Sequence, residues 1–272
     1  MSLEKGFALY LSSKSHLRPD SLRDIKYLGA RLLKASPKFA KSNFSDLSLE
    51  DCEKWLSSTF DTPSQFNKAR AMLHALFNFA FRHEWCEKNL VSLIERKKVI
   101  EREIKPLTLA QTKRLLQIAQ TEKYKSCLAP VGLLTLAGIR PREVRKLKWN
   151  DIDLDDNSIT VRSICSKTGG VRHVEICPKL RGLLQKSQAE KVEVCPTNWR
   201  GRWRKIRDNS GFKGHWVQDV LRHTYASYFT KRYSDLPRLQ LNMGHRDLSL
   251  LRSRYVNMQN ISKTDAKEFF GG

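Results

Sequence analysis

Residues 126–137, Ser-Cys-Leu-Ala-Pro-Val-Gly-Leu-Leu-Thr-Leu-Ala, are apolar on nearly every side of a helical wheel. A surface helix keeps one polar face; a helix without one has nothing to give to water and packs inside. About a dozen residues is also too short for a membrane span, which takes roughly 18 or more. No apolar run of that length occurs anywhere in the chain. The segment therefore demands a domain built around it. With 272 residues, 40% of them hydrophobic, the chain has material for one large domain or two smaller ones.

The exit of this helix is Gly138-Ile139-Arg140-Pro141. Glycine permits backbone angles closed to other residues, and proline suits the first turn of a helix. Arg140 thus sits at a junction between rigid neighbours. Glu143, one turn on, is placed to orient Arg140 or to cap the new helix.

Upstream the pattern is helical throughout. Asp20-Ser21 precedes Leu22, Ile25, Leu28, Leu32 and Leu33, a helical period that Pro37 ends. Ser48 and Asp51 form a capping pair before Leu49, Cys52, Trp55 and Leu56. Thr62-Pro63 opens a third helix whose aromatic cluster, 77–81, reads as core. Residues 1–95 are expected to form a small helical bundle. The charged stretch 96–107, ending at Lys105-Pro106, is the expected linker, and 108–272 the second domain. There Thr108 caps a helix from Leu109. Strands are expected over 149–154, 158–164 and 171–176, with a tight turn at Lys167-Thr168-Gly169-Gly170. Leu180, Leu183 and Leu184 indicate another helix, and Ile261–Phe270 a last one. Tyr225, Phe229, Leu236, Leu239 and Leu241 read as a core stripe. The class is mainly α with a small antiparallel sheet.

Net charge is +22, with a pI of about 9.9. A surplus that large points to a polyanionic partner. Residues 1–100 carry 17 basic and 11 acidic side chains; the remainder carries 33 and 17. Both parts can face a phosphate backbone, the second more strongly. Candidate contacts are Lys41, Lys68, Arg70 and Arg82 in the first part. In the second they are Arg172 and the Arg200, Arg202 and Arg204 of a segment that also carries Trp199 and Trp203. Such interleaving suits nucleic acid, although the two tryptophans, four apart, also suit a core. The six cysteines lack metal-site spacing and read as reduced thiols. Met1-Ser2-Leu3-Glu4-Lys5 is not followed by a leader-like apolar core, so a cytoplasmic, nucleoid-associated protein is expected.

Five side chains stand out as a chemical set: Arg140, Lys167, Arg222, His245 and Tyr255. Arginine forks grip pairs of phosphate oxygens. A lysine can protonate a leaving alkoxide, and a phenol can form a covalent intermediate. Together they suit attack on a phosphodiester. Their order, with Arg222-His223-Thr224 and Met243-Gly244-His245 around them, resembles the tyrosine recombinase, or phage-type integrase, family over roughly residues 105–260.

That resemblance implies an N-terminal SAM-like helical domain that binds core DNA, followed by an α+β catalytic domain. It implies Tyr255 as nucleophile, Arg140 and Arg222 as phosphate clamps, Lys167 on a β-hairpin as general acid with Arg172 as runner-up, and His245 as a phosphate or proton partner. His223 is expected to be structural. Neither a metal nor another cofactor is implied. The partner is double-stranded DNA, bound by a homotetramer on paired sites, with a terminal segment packing on a neighbouring protomer. One position departs from the pattern: three before Arg222, where the family carries histidine, stands Asp219. As an N-cap it would orient Arg222 or an imidazole, leaving more work to His245; as a carboxylate facing phosphate it would weaken the site. A DNA-binding homologue without catalysis and a type IB topoisomerase are the alternative readings.

Overall fold

The computed structural model describes every residue except 101–102, 166–169, 246–257 and 259. Lys167 and Tyr255 therefore lie outside the described residues. The chain divides into two compact units, Met1–Glu101 and Arg102–Gly272, so the division falls inside the expected linker.

The first unit is helical: α1 Leu3–Ser13, α2 Pro19–Ala35, α3 Pro37–Lys41, α4 Leu49–Thr59 and α5 Pro63–Arg82. The Ser48–Asp51 box forms in both directions, each side chain serving the other's backbone N–H. Thr62 caps α5 ahead of Pro63. α2 starts at Pro19, whose fixed φ suits a first turn. Pro37 does more than end α2, because it also opens α3. The core joins Leu3, Phe7, Phe44, Trp55, Leu73 and Phe77, with the Trp55 indole donating to the Leu32 carbonyl at 2.8 Å. The aromatic cluster is only partly core: Phe77 is buried, whereas Phe81, about one turn further on, is 50% exposed. The chain leaving this unit stays attached to it. The Asn67 amide brackets the Lys97 backbone, accepting from its N–H at 2.9 Å and donating to its C=O at 2.8 Å.

In the second unit, Thr108 and Gln111 form a capping box for α6, Leu109–Gln120. Next comes α7, Leu128–Leu136, in which all nine residues are buried, as the sequence demanded. Each fully buried leucine there contributes about 1.5–3 kcal/mol of transfer free energy. The short α8, Pro141–Val144, follows. The sheet is antiparallel in the order β1 Ile152–Asp153, β2 Ser158–Val161, β3 Arg172–Glu175. It is shorter than expected: 149–151 is a 3-10 turn, and β2 stops at Val161. Then come α9 Pro178–Ala189, α10 Trp199–Arg207, α11 Val220–Tyr233, α12 Leu236–Met243 and a C-terminal helix, Lys263–Phe270. That last helix buries Phe269 and Phe270 against α11 of its own unit, Phe269 stacking on Tyr228 at 4.2 Å, where a neighbouring protomer had been expected to receive it. Leu241, expected in the core, is 70% exposed on α12.

α11 lies at the centre. Residues 220–230 are buried without interruption, although Arg222, His223, Thr224, Ser227 and Thr230 are polar. Burial of such groups is tolerable when they find partners. Thr224 Oγ1 donates to the Val220 carbonyl and accepts from the Leu107 N–H at 2.9 Å, fastening the start of the unit to its middle.

Candidate active site

Arg140, Arg222 and His245, widely separated in sequence, meet at one place. The organiser is the end of α12. A helix C-terminus carries carbonyls without helical partners and the negative end of the helix dipole. Here three consecutive carbonyls each accept from a different arginine. Asn242 accepts from Arg172 Nε at 2.9 Å, Met243 from Arg222 Nη2 at 3.0 Å, and Gly244 from Arg140 Nη2 at 3.2 Å. Arg222 Nη1 also donates to the Gly138 carbonyl, at the exit of α7.

Two glycines allow this convergence. Gly138 has φ +59, and a Cβ there would come within 2.4 Å of the Tyr225 ring. Gly244 has φ +63, and a Cβ there would come within 2.9 Å of Arg172 Cδ. Both angles lie in the left-handed region that disfavours side chains. The Asn242 amide donates to the Tyr225 hydroxyl at 3.1 Å, which fixes the end of α12 to α11.

Among the described residues, the carboxylate held in this cluster of arginines is Glu143, 1% exposed. It accepts the Arg140 backbone N–H at 3.0 Å and Arg140 Nη1 at 3.1 Å. It also takes both terminal nitrogens of Arg172, at 3.0 and 2.5 Å. Burial alone would raise its pKa, but the Arg172 hydrogen bonds and charge, with Arg140, hold it below the usual carboxylate value. Two guanidinium groups thus share this carboxylate while Arg222 is held by carbonyls and His245, leaving, among the described residues, a surplus of positive charge suited to an anion.

His245 Nε2 lies 3.0 Å from Arg222 Nη2. A guanidinium only donates, so Nε2 accepts and the ring is neutral, with its proton on Nδ1. Burial, then the charges of Arg222, Arg140 and Arg172, push the imidazole down to about 4. His223 is also pushed down to about 4, by burial against the opposing pull of Asp219. His223 is 6% exposed within α11, as its structural reading requires. Asp219 occupies the N-cap position of α11 but with φ +62, and its exposed carboxylate makes no capping bond. The cap role expected of its side chain is therefore not realised; only its backbone carbonyl serves, accepting from the N–H groups of Arg222 and His223.

Arg172 is the main correction. Read as a DNA contact or a spare acid, it is instead 9% exposed, with its fork engaged by Glu143 and Asn242. A signal for this was present. Strand alternation puts residue 172 on the same face as Val174, which is fully buried. Among the other candidates, Lys41, Lys68, Arg82, Arg200 and Arg204 are exposed. Arg70 is half-buried and donates to the carbonyls of Ile94 and Ser92. Arg202 donates to Ser126 Oγ at 2.5 Å. Trp199 and Trp203 stack at 5.3 Å, so that pair is packing, with Arg207 over Trp203 and Trp216.

The second unit is thus a mainly helical fold with a three-stranded sheet and a buried arginine–histidine cluster suited to a phosphate. The chain belongs to the phage integrase family, whose sequence profile matches residues 105–260, more than half its length. It is 26% identical over 212 residues to tyrosine recombinase XerA of Saccharolobus solfataricus, covering 73% of this chain and 70% of that one. It is 24% identical over 234 residues to tyrosine recombinase XerC of Chlamydia muridarum, covering 76% and 72%. Among solved structures, a lambda integrase dimer bound to a COC′ core site superposes with a TM-score of 0.79 at 16% identity, covering 96% of this chain and 98% of that one. A Tn1549 transposon integrase in complex with circular-intermediate DNA gives a TM-score of 0.76 at 16% identity, covering 98% and 99%.

Proposed function

We propose that this protein is a site-specific DNA recombinase that cuts and rejoins strands through a bond between phosphorus and Tyr255. The observation that carries this reading is the convergence of Arg140, Arg222 and His245 on the end of α12. Such a preorganised set of cations stabilises charge as it develops on a phosphorane. Arg140, with 19% of its side chain open, is the first to meet a phosphate; Arg222 backs it from α11.

Tyr255 Oη attacks phosphorus, the P–O5′ bond breaks, and a 3′-phosphotyrosyl link forms. Lys167 gives a proton to the departing 5′ oxygen. A 5′-hydroxyl from a partner strand then attacks the link, and the tyrosine leaves. The energy of the phosphodiester is conserved at each exchange, so no nucleotide is consumed. The phenolic proton passes to solvent, and His245, neutral at pH 7, donates to the phosphate from Nδ1. Asp219 sits beside this machinery without taking part in it.

The first unit also binds the DNA, with Lys41, Lys68 and Arg82 on phosphates. Arg200 and Arg204 do the same from α10. One of the similar structures is a lambda integrase tetramer bound to a Holliday junction. By analogy four protomers assemble on two duplexes, in the cytoplasm at the nucleoid, in the service of a mobile element or a resolution system.

The test is a nicked suicide duplex whose 5′-hydroxyl diffuses away after cleavage. A covalent adduct in the native protein that vanishes in Tyr255→Phe supports the reading. Binding without an adduct would show a DNA-binding homologue that has lost catalysis.

A further inference from the structure

The mechanism leaves one buried cation without a task. Arg172, on β3, spans three segments: both terminal nitrogens lie on Glu143 of α8, Nε lies on the Asn242 carbonyl of α12, and Cδ packs under Gly244. Arg140 leans on the same two segments, through Glu143 and the Gly244 carbonyl. We propose that Arg172 is the positioning residue of the active site: it fixes Glu143 and the 242–244 turn, and through them sets where Arg140 and His245 stand, without touching DNA itself.

Three observations carry this. Arg172 is buried, so no phosphate reaches it. Its contact with Glu143 is bidentate, which fixes the carboxylate plane as a single ammonium cannot. And Glu143 uses its two oxygens for both arginines at once, so a shift of one displaces the other. The charged groups that face Glu143 are Arg140 from its own turn and Arg172 from β3. Arg222 of α11 and His245 complete the cluster beyond them, and α7, packed against α8, brings no titratable side chain.

The proposal rests on the recombinase reading, so the experiment has an arm for each. Arg172→Lys keeps the charge and loses the fork. Its single-turnover adduct rate on the suicide duplex should fall about 100-fold, as for a displaced catalytic group, while DNA affinity stays within about threefold, since no DNA contact is removed. Arg172→Gln should also move the acid limb of the rate upward by about 1–3 pH units, because Glu143 loses the cation that keeps it ionised. In a Glu143→Gln background, adding Arg172→Gln should cost little more. A rate that falls only in step with the folded fraction, with the limb unmoved, would overturn the proposal.

The second arm needs no activity. In ¹⁵N-arginine spectra the terminal N–H groups of Arg140 should be separately resolved in the native protein and averaged by rotation in Arg172→Gln. If they stay resolved, Arg172 does not position Arg140. If the native protein gives no adduct but this averaging occurs, the recombinase reading fails and the positioning role stands.

Discussion

Asp219 shows how much a single side chain can leave unsaid. A carboxylate beside a phosphate site would repel the substrate if it pointed inward. Here the residue takes a left-handed backbone angle and its carboxylate is exposed, while the arginines bind carbonyls elsewhere. Its charge still reaches His223. Replacing Asp219 by histidine removes a negative charge near the site and adds a possible donor. Asp219→His is therefore expected to keep or raise the rate of adduct formation, measured on the nicked duplex. Complete loss of cleavage would show that the carboxylate has a specific role. The contrast with Glu143 is instructive: that carboxylate is held low by two arginines and is built into the site.

At the scale of elements, α7, α11 and the end of α12 meet through residues that tolerate no added bulk. Gly138→Ala places a methyl against the Tyr225 ring at a positive φ. The expected loss of stability is about 1–3 kcal/mol from backbone strain, with a further contribution from the clash. Adduct formation should fall with it, because Arg222 leans on the Gly138 carbonyl; denaturant titration beside the cleavage assay checks both. α11 and the turn after α12 also make stability depend on pH. His223 and His245 are held near 4 in the folded state, below their ordinary value of 6.5. A depressed pKa means that the folded state resists protonation. Their contribution is complete above about pH 6.5 and is lost as pH falls toward 4. Denaturation midpoints measured across that interval should decline, and His223→Gln should flatten the decline. An unchanged slope would mean that neither ring titrates with folding.

At the scale of the whole molecule, each unit has its own continuous core, one built on Leu3, Phe44 and Phe77, the other on α7 and α11. Fragments 1–101 and 102–272 are expected to unfold cooperatively on their own, as separate domains do. Most of the positive surplus lies in the second. The full chain should bind duplex DNA with a steep salt dependence, losing about 10³–10⁵ in affinity between 50 and 200 mM salt if 6–10 phosphates are contacted. Fragment 102–272 should keep a larger share of that slope than fragment 1–101. Equal slopes, measured by fluorescence anisotropy, would show that the charge surplus does not track the DNA surface.

Much of this is written in the sequence itself. The α7 segment had to be buried because it offers water no polar face, and Pro141 and the Ser48–Asp51 and Thr108 caps fix their helix starts through local chemistry alone. The order of Arg140, Arg222 and His245 already pointed to phosphate chemistry. What the chain could not disclose locally was which cations face solvent. Arg172 and Arg200 look alike in sequence, yet one is locked inside on Glu143 and the other is exposed. Nor could a polar helix such as α11 be read as central, since its burial depends on carbonyls and a backbone N–H supplied by distant segments. Periodicity and capping are set by residues a few positions apart and so are written in the sequence. The partners that neutralise a buried charge come from across the fold, and only tertiary structure assigns them.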